Sequence, residues 1–205
     1  MRIEIWFIAA GYLSGSILFA RLVSALSKKE NFLQDSPDHN PGAANAFRYG
    51  GFLCGMITLL GDMMKGFFPV HIYLKYVKDM EINPFLFALI LAAPVIGHAF
   101  PAFYGFQGGK GIAVTFGCLL GLYPWLEPAL TLAVIFLFFS LILCITPHLQ
   151  RTKISYITTL ICFVIQRLEA WITGGFAIIL VCVCIRLHLS KEERQKMKVR
   201  LLWLH

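Results

Sequence analysis

Long apolar runs, separated by short polar or glycine-rich interruptions, fill almost the whole chain. They extend over about Ile3–Leu26, Gly51–Tyr73, Pro84–Ala99, Ile112–Leu122, Pro124–Ile145, Ile154–Leu168 and Trp171–Leu187. Several approach the roughly 20 residues that an α-helix needs to cross a bilayer. The pattern predicts an all-α, polytopic integral membrane protein with about seven transmembrane helices. It divides the chain into a transmembrane domain over 1–190 and a basic tail over 191–205. The run SKEERQKMKVR, which ends in that tail, reads as an amphipathic helix on the inner leaflet. Arg2 precedes an apolar run without a convincing cleavage site, so the first segment is expected to stay in place.

Composition excludes a soluble globule: apolar residues make up 58% of the chain, charged residues only 14%, and the mean hydropathy is +0.72. Too few charges remain to cover a water-facing surface. The net charge of +7 is not interleaved with stacking aromatics, so no nucleic-acid partner is expected. It fits membrane topology instead. Lys28, Lys29, Arg48, Lys110, Arg151, Lys153 and the tail fall on one side of the seven-span arrangement. Arg2, Lys75 and Lys78 fall on the other, with Arg167 near the boundary. The positive-inside bias then predicts an outside N-terminus and a cytoplasmic C-terminus. On that topology the Asn-Pro-Gly loop, the Gly-Gly-Lys loop and an Arg151–Ser155 loop share the cytoplasmic face. The six cysteines all sit within apolar runs without metal-ligand spacing, which makes them space-filling thiols; no metal site is expected.

The densest chemical signal is GHAFPAFYGFQGGKGIAVTFG, Gly97–Gly117, where Gly105, Gly108, Gly109 and Gly111 surround Lys110. Freed backbone N–H groups plus an ammonium form an anion cradle, and phosphate is the commonest anion so held. The alternative is a glycine-rich turn between helices with Lys110 among lipid headgroups. His98, at the start of the stretch, either meets a phosphate oxygen or caps a carbonyl. Upstream, NPGAANAFR offers Asn40, Asn45 and the forked guanidinium of Arg48 around Gly42, or else simply an N-cap and turn. Asp62 and Lys65 are three apart in an apolar run, so they share a helix face and form either a functional or a structural ion pair. No nucleophile elbow, zinc-protease helix or His-x4-Asp pair is present.

The glycine-lysine stretch, NPGAANAFR followed by GDMMKG in the second run, and the seven-span layout, together with the early GYLSGSILFARL, resemble the bacterial acyl-phosphate glycerol-3-phosphate acyltransferase family, PlsY. The resemblance covers most of the first 120 residues and weakens afterwards. It implies a multi-pass enzyme of the bacterial cytoplasmic (inner) membrane with its site facing the cytoplasm. Such an enzyme moves a fatty acyl group from acyl-phosphate to the 1-hydroxyl of glycerol 3-phosphate, giving lysophosphatidic acid and phosphate for phospholipid synthesis. It implies no metal and no cofactor, and brings in membrane lipids and the enzyme that makes acyl-phosphate as partners. Arg48, Lys110 and Ser36 would be catalytic. Asn40, Gly42, Asn45, His98, Gly108, Gly109, Gly111 and Ser155 would bind substrate, and Asp62 and Lys65 would support the site. Departures from the pattern are a first loop read as two residues longer, Asp35–Asn40, then Ala44 for a threonine and Gln107 for a lysine. The later serine motif leaves only Ser155, and His188 does not carry over. A paralogue acylating another phosphorylated alcohol, or a non-catalytic transporter or scaffold, remains the alternative.

Overall fold

A computed structural model describes residues 3–27, 33, 36, 38–77, 82–190 and 195–202. Arg2, Lys28, Lys29, Asp35 and Lys78, on which expectations above fell, lie outside the described residues, as do residues 191–194 and 203–205 of the tail. The chain forms α1 (Ile3–Gly15), α2 (Phe19–Leu26), a single turn α3 (Ala43–Asn45) continuing into a π-helical turn at Ala46–Gly50, and α4 (Phe52–Tyr76). Then follow α5 (Pro84–Ala99), α6 (Ile112–Leu120), α7 (Glu127–Leu137) with a π-helical end at Phe138–Ile142, α8 (His148–Ile165) and α9 (Ala170–His188). Among the described residues, four stretches are long and apolar enough to cross a membrane: Ile3–Leu26, Phe52–Tyr76, Pro84–Tyr104 and Ala170–His188.

The core is α5, whose residues from Phe87 to Ala99 are almost all buried. It is sheathed by α1 on one side and α9 on the other. All three run the same way: Gly11 and Gly15 of α1 meet Ala93 and Pro94, while Gly174 and Gly175 of α9 meet Ala88 and Leu91. The contact with α1 is backbone on backbone. A Cβ on Gly97 would overlap the Tyr12 carbonyl oxygen, and one on Gly15 the Pro94 carbonyl oxygen. Without a hydrophobic drive between helices in lipid, such close approach through small residues supplies the dispersion energy of association. The same device joins α4 to α6, where Gly117 abuts the Met63 backbone.

At the end where α1 and α5 begin, aromatic rings interlock: Phe7 on Tyr73 (5.2 Å), Phe87 on Trp171 (4.4 Å) and Trp125 on Trp171 (6.1 Å). The opposite end, where α2, α5 and α9 finish and α4, α6 and α8 start, holds the polar loops.

Two expectations are corrected here. The fifth apolar run does not stay helical to Ile145: Leu143–Thr146 forms strand β1, paired antiparallel with β2 (Lys198–Leu201). Within the described part of the tail, Lys198–Leu201 is therefore a strand. Val199 and Leu201 lie opposite Ile145 and Leu143, and alternation in KVRL suits a ribbon as well as a helix face. Second, Arg151–Ser155 is no loop. It lies in the first turns of α8, which starts at His148 after Pro147, a residue that fits a helix start.

Gly97→Val is expected to destabilise the fold by about 2 kcal/mol or more, since the Tyr12 backbone cannot yield. Gly174→Ala, whose Cβ would meet Ala88 Cβ at an ordinary 3.8 Å, is expected to be neutral or mildly stabilising. Thermal unfolding of the two variants in detergent checks both outcomes.

Candidate active site

The first span is not one helix. It breaks at Ser16–Leu18, and the break leaves the Ile17 carbonyl without a helical partner. Lys65 of α4 supplies one, its Nζ donating to the Ile17 oxygen at 2.6 Å. The same ammonium donates to His98 Nδ1 at 2.8 Å and lies 2.8 Å from Asp62 Oδ1. All three ionisable side chains are at most 3% exposed. Because Nδ1 accepts from Lys65, the imidazole carries its hydrogen on Nε2, the nitrogen that faces Gly109. An isolated charge here would cost several kcal/mol, so each ion depends on the others.

The glycine stretch folds back onto the end of α5. Gly108 N–H donates to the Ala99 carbonyl (3.2 Å) and Gly109 N–H to that of His98 (3.0 Å). A Cβ at Gly109 would overlap the His98 ring, and one at Gly108 the His98 carbonyl. This corrects the expected cradle of freed amides: those two N–H groups are spent within the protein. The glycines are needed for close approach, and Gly111, at φ +81°, for a left-handed start to α6. The loop presents its lysine instead. Arg186, in the last turn of α9, donates to the Gly108 carbonyl from outside.

The first loop is organised by Asp38. Its Oδ1 accepts from Asn45 Nδ2 (2.7 Å) and from the Asn40 backbone N–H (3.3 Å), and its Oδ2 from Lys110 Nζ (3.2 Å). Partial burial raises the pKa of this carboxyl, but the Asn45 amide and the Lys110 ammonium outweigh it and hold the group below the usual carboxylate value. The link between the two loops is thus fully formed above about pH 4 and is lost only as the pH falls through the lower folded value.

Two hollows meet at this link. A cleft of about 790 Å³ runs from Asp62 and His98 past Tyr49, Leu59, Ile112 and Phe116. Beside it lies a smaller polar hollow of about 280 Å³, with Arg21, Lys110 and Arg186 in its wall. Asp38, Asn40 and Lys110 line both.

Of the residues predicted from sequence, Asn40, Gly42, Asn45, Arg48, Asp62, His98, Lys110 and Gly111 come together around the cleft. Lys65 stands behind them. Ser36 does not line either hollow: it is buried and donates to the Leu33 carbonyl at 2.9 Å. Ser155, on α8, is fully buried, with no hydrogen-bond partner for its hydroxyl among the described residues, and also lines neither. Sequence reasoning missed Asp38, Arg186 and His148, the last a cleft residue at the start of α8. An arginine at the end of an otherwise apolar helix was the available signal for Arg186.

The sequence matches the family described as glycerol-3-phosphate acyltransferase over residues 5–198. The chain belongs to this family. The glycerol-3-phosphate acyltransferase of Methylococcus capsulatus is 41% identical over 125 residues, which is 61% of this chain and 60% of the relative. That of Bordetella petrii is 41% identical over 137 residues, 64% of this chain and 62% of the relative. The matched segments thus span about 60% of these relatives' length. Among solved structures, PlsY, an integral membrane glycerol 3-phosphate acyltransferase, superposes in its glycerol 3-phosphate form with a TM-score of 0.76. It is 24% identical, over 92% of this chain and 90% of that one. Its lysophosphatidic acid form gives 0.74. That likeness establishes the family's fold for this chain.

The buried triad generates a prediction. Lys65→Met leaves Asp62 charged and unpaired and strands the Ile17 carbonyl, and is expected to cost about 3–5 kcal/mol. Adding Asp62→Asn should return part of that loss, as thermal unfolding of the single and double variants will register.

Proposed function

We propose that this chain transfers a fatty acyl group from an acyl-phosphate to the 1-hydroxyl of glycerol 3-phosphate, giving lysophosphatidic acid and phosphate. The observation that carries the reading is the pair of hollows with one shared wall: a long, largely apolar cleft beside a small basic cavity. The named relatives act on glycerol 3-phosphate, and a solved relative was crystallised in a glycerol 3-phosphate form.

In this reading the acyl chain lies along Leu59, Ile112 and Phe116, with its carbonyl toward Lys110 and Arg48. The glycerol phosphate sits in the polar hollow, its phosphate between Arg21 and Arg186. An acyl-phosphate is a mixed anhydride with a good leaving group, so a protein nucleophile is unnecessary. Catalysis consists of holding the hydroxyl against the carbonyl and offsetting charge on the departing phosphate. Lys110 serves both hollows and so supports both tasks. His98 Nε2–H, fixed by Lys65, is a polar donor at the inner end of the cleft. Ser36 pins its own loop and is given no part in the chemistry; Ser155 is likewise left out.

We further propose seven passes, with the site on the cytoplasmic face of a bacterial cytoplasmic membrane. Successive long elements reverse direction between the aromatic end and the loop end. Arg21, Arg48, Lys110, Arg151, Lys153 and Arg186 lie toward the loop end, whereas Glu4, Glu127 and Glu169 lie with Lys75 and Arg167 at the other. That asymmetry supports the positive-inside orientation. A donor made in the cytoplasm fits this side, with the enzyme that makes it as a partner.

Purified protein in lipid, given acyl-phosphate and glycerol 3-phosphate, is expected to release phosphate and form lysophosphatidic acid in equal amounts. Arg186→Ala should raise KM for glycerol 3-phosphate about tenfold or more, the loss of one charge-assisted contact. Lys110→Ala should lower kcat as well. Folded wild-type protein that forms no lysophosphatidic acid would refute the proposal.

A further inference from the structure

Far from the two hollows' shared wall, the end of the chain carries a pattern that the site does not use. From Lys196 onward cationic and apolar residues alternate: Lys196, Lys198 and Arg200 against Met197, Val199 and Leu201. Side chains along a strand point to opposite faces in turn, so β2 gathers its cations on one face and its apolar groups on the other. Register with β1 carries the division across the ribbon. Val199 and Leu201 lie beside Ile145 and Leu143, while Lys198 and Arg200 lie beside Thr146 and Cys144. No acidic residue occurs within 195–202.

The apolar face is covered on one strand and bare on the other. Ile145 of β1 is 3% exposed, whereas Val199 and Leu201 of β2 are 48% and 46% exposed. A ribbon of two strands is marginal in water, and an apolar edge strand calls for further cover. Its place in the fold says what covers it. The ribbon follows α7, whose Leu130, Val134, Leu137 and Leu141 are exposed at helical spacing and form a stripe that faces lipid. Leu202 N–H donates to the Ile142 carbonyl at 3.0 Å, and both residues are exposed, so the stripe runs on into β2. Arg151 and Lys153, in the first turns of α8, stand at this same end.

We infer that the β1–β2 ribbon docks on an anionic lipid surface. Its apolar face continues the lipid-facing side of α7 and settles at the boundary of the acyl chains. The opposite face of the strand then lies within the headgroup layer, which is roughly 5–7 Å thick on each side of a bilayer. Lys196, Lys198 and Arg200 are thereby brought level with the lipid phosphates, where each adds attraction to an anionic surface. Other occupants answer only part of the pattern. A second copy paired edge to edge would set the cations of one β2 against those of the other, and like charges across strands repel. An acidic soluble protein would meet the basic face and leave the apolar one in water. Lipid suits both faces at once. The docking is independent of the acyl-transfer chemistry proposed above.

Amide hydrogen exchange of the full chain, held one copy per nanodisc, tests the docking. Discs of phosphatidylcholine are compared with discs in which phosphatidylglycerol replaces part of it. Amides of residues 196–202 are expected to exchange about tenfold or more slowly in the anionic discs, with those of α5 unchanged. High salt should remove the difference. K196Q/K198Q/R200Q, which keeps the strand pattern without its charge, should lose the dependence on lipid. V199S/L201S should exchange fast in both discs. Equal exchange of wild type in the two lipids overturns the inference, because any protection then belongs to the strand pair alone. A lipid dependence that survives the glutamine variant, or slow exchange of the serine variant in anionic discs, overturns it too. Protection seen only when two copies share a disc assigns the face to a second chain, which is also a refutation. Should the variants not accumulate, salt decides on wild type alone: protection lost at high salt upholds the docking, and protection retained overturns it.

Discussion

One ammonium group holds the functional end of this protein together. Lys65 enters the apolar interior from α4 and finds the broken turn of the first span, the Asp62 carboxylate one helical turn back, and the imidazole of α5. Each contact answers a need elsewhere. The break at Ser16–Leu18 is tolerable because its stranded carbonyl is capped, and His98 has one tautomer because its inner nitrogen is already engaged. The ions are tolerable in the bilayer only as a set. The glycine loop then closes over His98, and Lys110 is delivered to the junction of the two hollows. Remove the ammonium, and the break, the ring and the loop above it all lose their reason for being where they are.

Most of the helical plan was legible as hydropathy. Apolar runs have the same period wherever they pack, and a membrane imposes their length, so Ile3–Leu26, Gly51–Tyr73, Pro84–Ala99 and Trp171–Leu187 lie close to the observed helices. What hydropathy could not separate was a buried strand from the end of a helix. Leu143–Thr146 is as apolar as the helix before it, and only its partner at Lys198–Leu201, more than fifty residues away in sequence, makes it a strand. The start of α8 was misplaced for a related reason: a polar first turn around Arg151 looks like a loop until Pro147 is seen to open a helix.

Site residues were legible where they occur in clustered motifs and illegible where a single residue arrives from far away. Asn40, Asn45, Arg48, Asp62, His98 and Lys110 were found because their neighbours are unusual for an apolar chain. The glycines were noticed for the right reason, close approach, and for Gly108 and Gly109 the neighbour approached is His98. Asp38 falls within the lengthened first loop, Asp35–Asn40, and was not singled out there. Its meaning depends on a contact with Lys110, 72 residues on, which no local pattern contains. Arg186 was hidden in the same way at the end of α9.

The β1–β2 ribbon gives the cleft walls of unequal stiffness. Part of the lining rests on α4 and α6, whose backbones touch at Gly117 and Met63. Another part includes Gln195, and just beyond it the chain is tied down by a four-residue strand pair whose strand β2 is exposed throughout. Two strands alone are marginal in water, and segments with few buried contacts open at the least free energy. The part of the lining tied down by the ribbon, at Gln195, therefore has less holding it in place than the part built on α4 and α6.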